Sequence, residues 1–243
     1  MEYILAKPAN IRSTFDSLPR NVPDAYRGVI DRIEKGQNKA IAFKILSWIL
    51  LARRVLLMRE LQEALSVEDG VKELIPETEF IDLRYVVECC ESLINHDQDT
   101  QTVRLTHYTL NDFLHKECTA FLLPSVQLAR TCLTYLNFDE FAIPCREENL
   151  VAKRLEAFQF VGYAVTFWDT HTQGDPELDR DILPVVLRIF ATASRLTSLL
   201  EVRKFLGHSY ETYDWSTDIS ETALHTVSRH GLSTSCKKLL NAR

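Results

Sequence analysis

Residues 92–114 read Ser-Leu-Ile-Asn-His-Asp-Gln-Asp-Thr-Gln-Thr-Val-Arg-Leu-Thr-His-Tyr-Thr-Leu-Asn-Asp-Phe-Leu, an apolar run, a polar turn and an alternating run that lead into a helical pattern. The spacing predicts a first strand over Leu93 to His96, a turn over Gln98 to Gln101 and a second strand over Thr102 to His107. Val103 and Leu105 then share one face of the second strand, and Arg104 and Thr106 the other. A helix follows, with Thr109 as N-cap and Asp112 at the fourth place of a Ser/Thr-x-x-acid box that satisfies free N–H groups. Three helical patterns precede this hairpin, so the order of elements predicts a winged helix.

The first pattern follows Leu18-Pro19-Arg20-Asn21-Val22-Pro23 and carries Tyr26, Val29, Ile30 and Ile33 on one side before Gly36 stops it. The second, from about Asn38 to Ala52, is apolar on more than one face through Ile41, Ile45, Trp48, Ile49 and Ala52, which suits a helix at the centre of a core. Val55 to Met58 reads as extended. Arg59 to Leu65, with Leu61, Ala64 and Leu65 inward, occupies the helix-turn-helix position. Glu68 to Phe80 reads as an acidic loop, and the pattern returns at Ile81 with Leu83, Val86, Val87, Cys90 and Leu93.

Beyond the hairpin, helices are expected over Pro124 to Phe138, over Leu150 to Trp168 and, as one or two helices, over Leu183 to Phe205, with Gly174-Asp175-Pro176 breaking the chain. With 46% hydrophobic residues among 243, and only seven glycines and eight prolines, the composition favours a mainly α fold. The expected organisation is an N-terminal linker (1–20), a winged-helix domain (21–118), a helical extension (119–215) of helical hairpins, and a partial repeat (219–243).

Charge narrows the partners. A formal charge of −6 and a pI near 5.7 offer no general pull toward nucleic acid or anionic lipid. Arg59 to Leu65 carries one positive and two negative charges, and the hairpin tip sets Asp97 and Asp99 against Arg104, so no DNA binding is expected. Arg53-Arg54 and Lys237-Lys238 fit a solvated surface. No apolar run reaches the roughly 20 residues that span a bilayer, and Lys7 and Pro8 interrupt the short run from Tyr3 to Ala6, so no membrane contact and a cytoplasmic location are expected. The six cysteines, Cys89, Cys90, Cys118, Cys132, Cys145 and Cys236, show no framework spacing and read as reduced thiols.

No motif assembles a catalytic centre. Gly-x-x-x-x-Gly-Lys-Ser/Thr is absent, so the chain has no phosphate-cradling loop, and Gly-x-Ser-x-Gly is absent too. His115 and Cys118, three apart on a helix, are half of a zinc site without the other half. Cys89 and Cys90 point about 100° apart by helical period, so at least one reads as core. Glu60 with Glu63, and Asp179 with Asp181, read as solvated helix faces. No enzyme, cofactor or metal is expected.

Two stretches carry a resemblance. Glu221-Thr222-Ala223-Leu224-His225-Thr226-Val227 through Leu232, followed by Cys236-Lys237-Lys238-Leu239-Leu240-Asn241-Ala242, resembles the start of an ankyrin repeat, with Ala223 and Val227 in place of the repeat's Pro and Ala. Leu18-Pro19 with Ala25-Tyr26 and Ile30-Asp31-Arg32-Ile33, Trp48-Ile49-Leu50-Leu51-Ala52-Arg53-Arg54, Leu61-Gln62-Glu63-Ala64-Leu65, Val103-Arg104-Leu105-Thr106-His107, Asn111-Asp112-Phe113-Leu114 and Thr131-Cys132-Leu133-Thr134-Tyr135-Leu136 form an ordered set. Over residues 15 to 140 the set resembles the winged-helix module that follows the NACHT NTPase domain in fungal NACHT and ankyrin proteins of the STAND class, a module often labelled by its similarity to a GPI inositol-deacylase winged helix.

The resemblance implies a non-catalytic regulatory module in signalling and innate immunity, coupling a nucleotide switch to C-terminal ankyrin repeats, with a NACHT NTPase domain as partner in the same chain or another copy. His107 lies where related signalling NTPases carry the His of a Met-His-Asp motif that contacts bound ADP. Here Thr106 and Tyr108 replace the flanking Met and Asp, so His107 is either a nucleotide-sensing residue, once joined to an NTPase domain, or a strand-end histidine that packs and bonds to backbone. A free-standing adaptor and a winged-helix DNA binder are the alternatives.

Overall fold

The computed structural model describes residues 22–172, 182–207, 224–225, 228 and 231–241. The 1–20 linker, Gly174-Asp175-Pro176, Asp179 with Asp181, and most of the ankyrin-like opening at 221–232 lie outside the described residues.

Helix α1 (Val22–Lys35) buries Ile30 and Ile33, and its Asp24 in the first turn and Arg32 and Lys35 in the last complement the helix dipole. Helix α2 (Lys39–Leu51) is apolar on nearly every face, and seven of its residues, from Ala42 to Leu50, are buried. Two residues of strand, β1 (Leu56–Leu57), lead directly into α3 (Met58–Ser66). A long connection containing a 3-10 turn at Glu77–Glu79 reaches α4 (Leu83–Cys89), whose start is capped by Asp82 Oδ1 accepting from the N–H groups of Arg84 and Tyr85. Strands β2 (Ile94–Asp97) and β3 (Thr102–Leu105) form the wing, and α5 (Tyr108–Glu117) follows.

The sheet is antiparallel with order β1-β3-β2. Leu56 faces Val103 across β1 and β3, while Ile94 faces Leu105 and Asp97 faces Thr102 across the hairpin. Asp97 Oδ1 accepts from the N–H groups of Asp99 and Thr100, and Gln101 takes the left-handed conformation (φ 55°) that closes the turn. The N–H of Thr100 does most to hold the Asp97 carboxyl below its ordinary range.

This topology revises two local expectations. The β1 strand stands between α2 and α3, so α3 is the first helix of the helix-turn-helix and α4, which runs into the wing, is the second. In addition, α5 is capped by His107 rather than Thr109. His107 has an extended backbone (φ −146°, ψ 143°), and its Nδ1 accepts from the Thr109 N–H at 3.2 Å. Thr109 is turned elsewhere, its Oγ1 lying 2.9 Å from the Tyr26 hydroxyl and 2.8 Å from His107 Nδ1.

The extension comprises α6 (Ser125–Leu136), α7 (Glu148–Ala157), α8 (Phe160–Thr172), α9 (Ile182–Ala191) and α10 (Ala193–Gly207), and α11 (Ser233–Asn241) packs on α9. The single helix expected over Leu150 to Trp168 is two, because Phe158 leaves helical geometry (φ −128°, ψ 77°) and α8 starts afresh at Phe160. Winged helix and extension share one continuous core from Ile30 to Leu232. Its centre is a cluster of rings: Trp48 lies edge-on to Phe160 and Tyr163, and Tyr135 packs against Phe138, Phe141 and Phe160. No single helix among the described residues is long and apolar enough to cross a membrane.

Candidate functional site

Two places concentrate polar chemistry: a buried seam between the winged helix and the extension, and an open groove beside the wing.

The seam is built from α3. Glu63, with a fully buried side chain, directs its Oε2 to the Tyr135 hydroxyl (2.5 Å) and the Phe160 N–H (2.9 Å), and its Oε1 to the Gln159 N–H (3.1 Å), with the Arg59 guanidinium 3.4 Å away. A carboxylate at a helix N-terminus meets both free N–H groups and the positive end of the helix dipole. Glu63 therefore caps α8 from another helix. Burial raises its carboxyl above the usual range against the pull of those hydrogen bonds, and raises the Tyr135 phenol well above its own.

One turn earlier, Glu60 takes a two-pronged contact from Arg54 (2.6 and 2.7 Å) and accepts from the Leu57 N–H. Arg54 also lies over the Tyr163 ring at 5.2 Å, a cation–π distance. The Tyr163 hydroxyl accepts from the Arg53 N–H and meets His171 Nε2 at 2.8 Å, while the Arg53 side chain donates to the Thr170 carbonyl. Desolvation, with Arg53 adding to it, drops the His171 imidazole to about 4. Glu60 and Glu63 are thus the reverse of a solvated face, and Arg53-Arg54 is a strut rather than a loose surface pair. No residue of α3 is exposed.

The groove, of about 570 Å³, is open to solvent between the end of α2, strands β1 and β3 and the start of α5. Leu56 and Val103 lie at its base, and its walls include Arg54, Arg104, His107, Tyr108 and Asp112. Tyr108 is 79% exposed and Val55, also on the groove, 48%. The His107 and Tyr108 rings lie 4.5 Å apart, tilted by 31°. Since Nδ1 of His107 accepts the cap bond, the neutral ring carries its proton on Nε2. The strand-end, backbone-bonding role is therefore realised at His107, and its ring is also exposed on the groove.

The other candidates do not converge. His115 is exposed whereas Cys118 is buried, and burial pushes the Cys118 thiol up to about 11. Among the described residues no group of three His, Cys, Asp or Glu is placed to hold a metal ion. All six cysteines are free thiols. Cys89 and Cys90 are both buried at the end of α4, the Cys89 thiol donating to the Val86 carbonyl and the Cys90 thiol to the Ala42 carbonyl.

Compared with known families, residues 30–123 match the family model described as GPI inositol-deacylase, winged helix domain, which is less than half of the chain. The match spans α2 to α5 with the wing, so this part of the chain is a winged-helix module. No curated protein and no solved structure matches the chain.

Proposed function

We propose that this chain is a non-catalytic coupling module of a NACHT-type signalling NTPase, in which the winged helix and its extension move as one lever between the nucleotide-binding domain and C-terminal ankyrin repeats. The observation that carries the reading is the buried seam. Glu63, Glu60 and Arg54 tie α3 and the α2–β1 turn to α6 and α8, so a displacement imposed on the wing side has no soft joint at which to dissipate before the extension. The partner's identity rests on the resemblance over residues 15 to 140, and the repeats on the resemblance at 221–242, of which the described helix α11 is the last part.

The NTPase domain docks on the groove side. Tyr108 and Val55 offer apolar area, and Arg54, Arg104 and Asp112 offer charges for orientation. His107, matched in position to a nucleotide-contacting histidine, then faces that domain. Duplex DNA fits this surface poorly. The outward residues of α4 are Arg84, Tyr85 and Glu88, beside exposed Asp82, Glu77 and Glu79, and the hairpin adds Asp97 and Asp99 against Arg104.

The test pairs the chain with a NACHT NTPase domain supplied in trans. The chain alone should neither bind ATP at micromolar concentration nor hydrolyse it, and should bind the ADP-loaded domain. Tyr108→Ala with Arg104→Glu should weaken that binding by about 100-fold, as loss of an aromatic anchor and a charge pair does, while the melting temperature stays put. Saturable ATP binding by the chain alone, or domain binding indifferent to both substitutions, would overturn the reading.

A further inference from the structure

The junction between α4 and the wing holds the adjacent thiols of Cys89 and Cys90, which the coupling role leaves unused. Cys89 is the last residue of α4 and Cys90 its C-cap (φ −90°, ψ 7°), so the pair sits where helical geometry is being abandoned. Cys89 Sγ lies 3.5 Å from the Val86 carbonyl, and Cys90 Sγ lies 3.9 Å from the Ala42 carbonyl in α2. Cys89 is 6% exposed and Cys90 is sealed at 0%, an outer and an inner thiol.

The two residues that follow are unusual. Glu91 (φ 46°) and Ser92 (φ 67°) are consecutive left-handed residues, neither of them glycine, a conformation that costs on the order of 1 kcal/mol per residue. Local contacts hold them there. Glu91 pairs with Arg32 at 2.6 Å, the Ser92 carbonyl accepts from the Thr106 hydroxyl, and the Leu93 N–H donates to the Cys90 carbonyl. This bend aims β2, and β2 is paired along β3, whose Val103, Arg104 and Leu105 line the groove.

We propose that Cys89 and Cys90 form a vicinal-dithiol modification site, which a hydroperoxide oxidises to a reversible intrachain disulfide and which thereby re-aims the wing. The chemistry balances without a cofactor. The Cys89 thiolate attacks the near oxygen of the peroxide, the O–O bond breaks, and Cys89 becomes a sulfenic acid as one water leaves. The Cys90 sulfur then attacks the Cys89 sulfur, the S–O bond breaks, and a second water leaves. Two thiols and one hydrogen peroxide give one disulfide and two waters. Cys89, the outer thiol at 6% exposed, is the one a peroxide reaches first, and Cys90, sealed at 0% on the next residue, is placed as the resolving thiol.

A trans peptide holds adjacent Cα atoms about 3.8 Å apart, short of the roughly 4.4 to 6.8 Å that bridged cysteines favour. Such a bond is readily reduced, so it reports oxidant rather than bracing the fold. Its closure also takes the Cys90 sulfur from the Ala42 carbonyl and fixes the residues that turn the chain into β2.

The test uses the whole reduced chain, treated with hydrogen peroxide, quenched, unfolded and alkylated. Trypsin releases Tyr85 to Arg104 as one peptide that contains both cysteines and no other. Alkylatable thiol in that peptide should fall about tenfold, with the peptide lighter by two hydrogen atoms, and dithiothreitol should restore it. Amide exchange in residues 94–105 should change with oxidation. Cys89→Ser should abolish the bridge, and a trivalent aryl-arsenical, which joins two thiols with loss of one water, should add to this peptide in the wild type and not in that variant. Persistence of both free thiols under a dose that oxidises a model dithiol, arrest at a sulfinic acid on Cys89, or a disulfide joining two chains would each overturn the proposal.

Discussion

His171 shows how far a single side chain is bent to the needs of the seam. It is 3% exposed, faces the Tyr163 hydroxyl and the Trp48 ring, and is surrounded by Arg53, which disfavours its charged form, and Asp169, which favours it. An unfolded chain takes up a proton here near pH 6.5, whereas the folded chain does so only at about 4. Folded stability should therefore be unaffected by this group above pH 6.5 and fall as pH drops from there to 4, by an amount on the order of 3 kcal/mol. Glu63, whose carboxyl is raised by burial, acts in the opposite sense as pH falls through its own range and offsets part of the loss. Urea midpoints at pH 7 and pH 4.5 check this, and His171→Gln should flatten the difference. None of it was legible from the sequence. A histidine near the end of an aromatic-rich helix gives no sign that Tyr163, eight residues earlier, and Arg53, more than a hundred residues away, converge on it.

At the scale of elements, the break between α7 and α8 and the burial of α3 are one fact seen from two sides. A helix running through Phe158 would have no use for Glu63, and a buried Glu63 without the N-terminus of α8 would lose two backbone donors and keep only Tyr135 and Arg59. Glu63→Ala should cost about 3 to 5 kcal/mol, because it strands two backbone N–H groups and the Tyr135 hydroxyl. Glu63→Gln, which retains one oxygen acceptor, should cost less. Chemical denaturation of the two variants beside the wild type separates them. The hairpin was readable because alternation and turn chemistry are local. Strands were placed to within a residue or two, and the turn at 98–101 fell where Asp97 and Gln101 close it. The capping box misled because a Thr followed three residues later by an acid is also what a second helical position looks like when a histidine caps ahead of it. The extended piece at Val55 to Met58 is legible, but nothing local shows that Leu56 and Leu57 pair with β3 and join the wing as a third strand.

For the molecule as a whole, the sequence divides into a winged-helix domain (21–118) and a helical extension (119–215), and one core runs through both. The clue was available in the composition of α2, apolar on too many faces for a three-helix module to cover. Which helix meets its inner face could not be read, since α8, whose Phe160 and Tyr163 lie against Trp48, comes more than a hundred residues later in the chain. A lever without a joint is the property on which the proposed coupling role depends. The measurement that tests it most directly is native-state hydrogen exchange of the whole chain across a urea series. The slowest amides of α2, α3, α6 and α8 should open together with one free energy and one urea dependence, and Glu63→Ala should lower all four by the same amount. Opening of α6 to α10 at a lower free energy than α2 to α5, with Glu63→Ala affecting only one group, would contradict it.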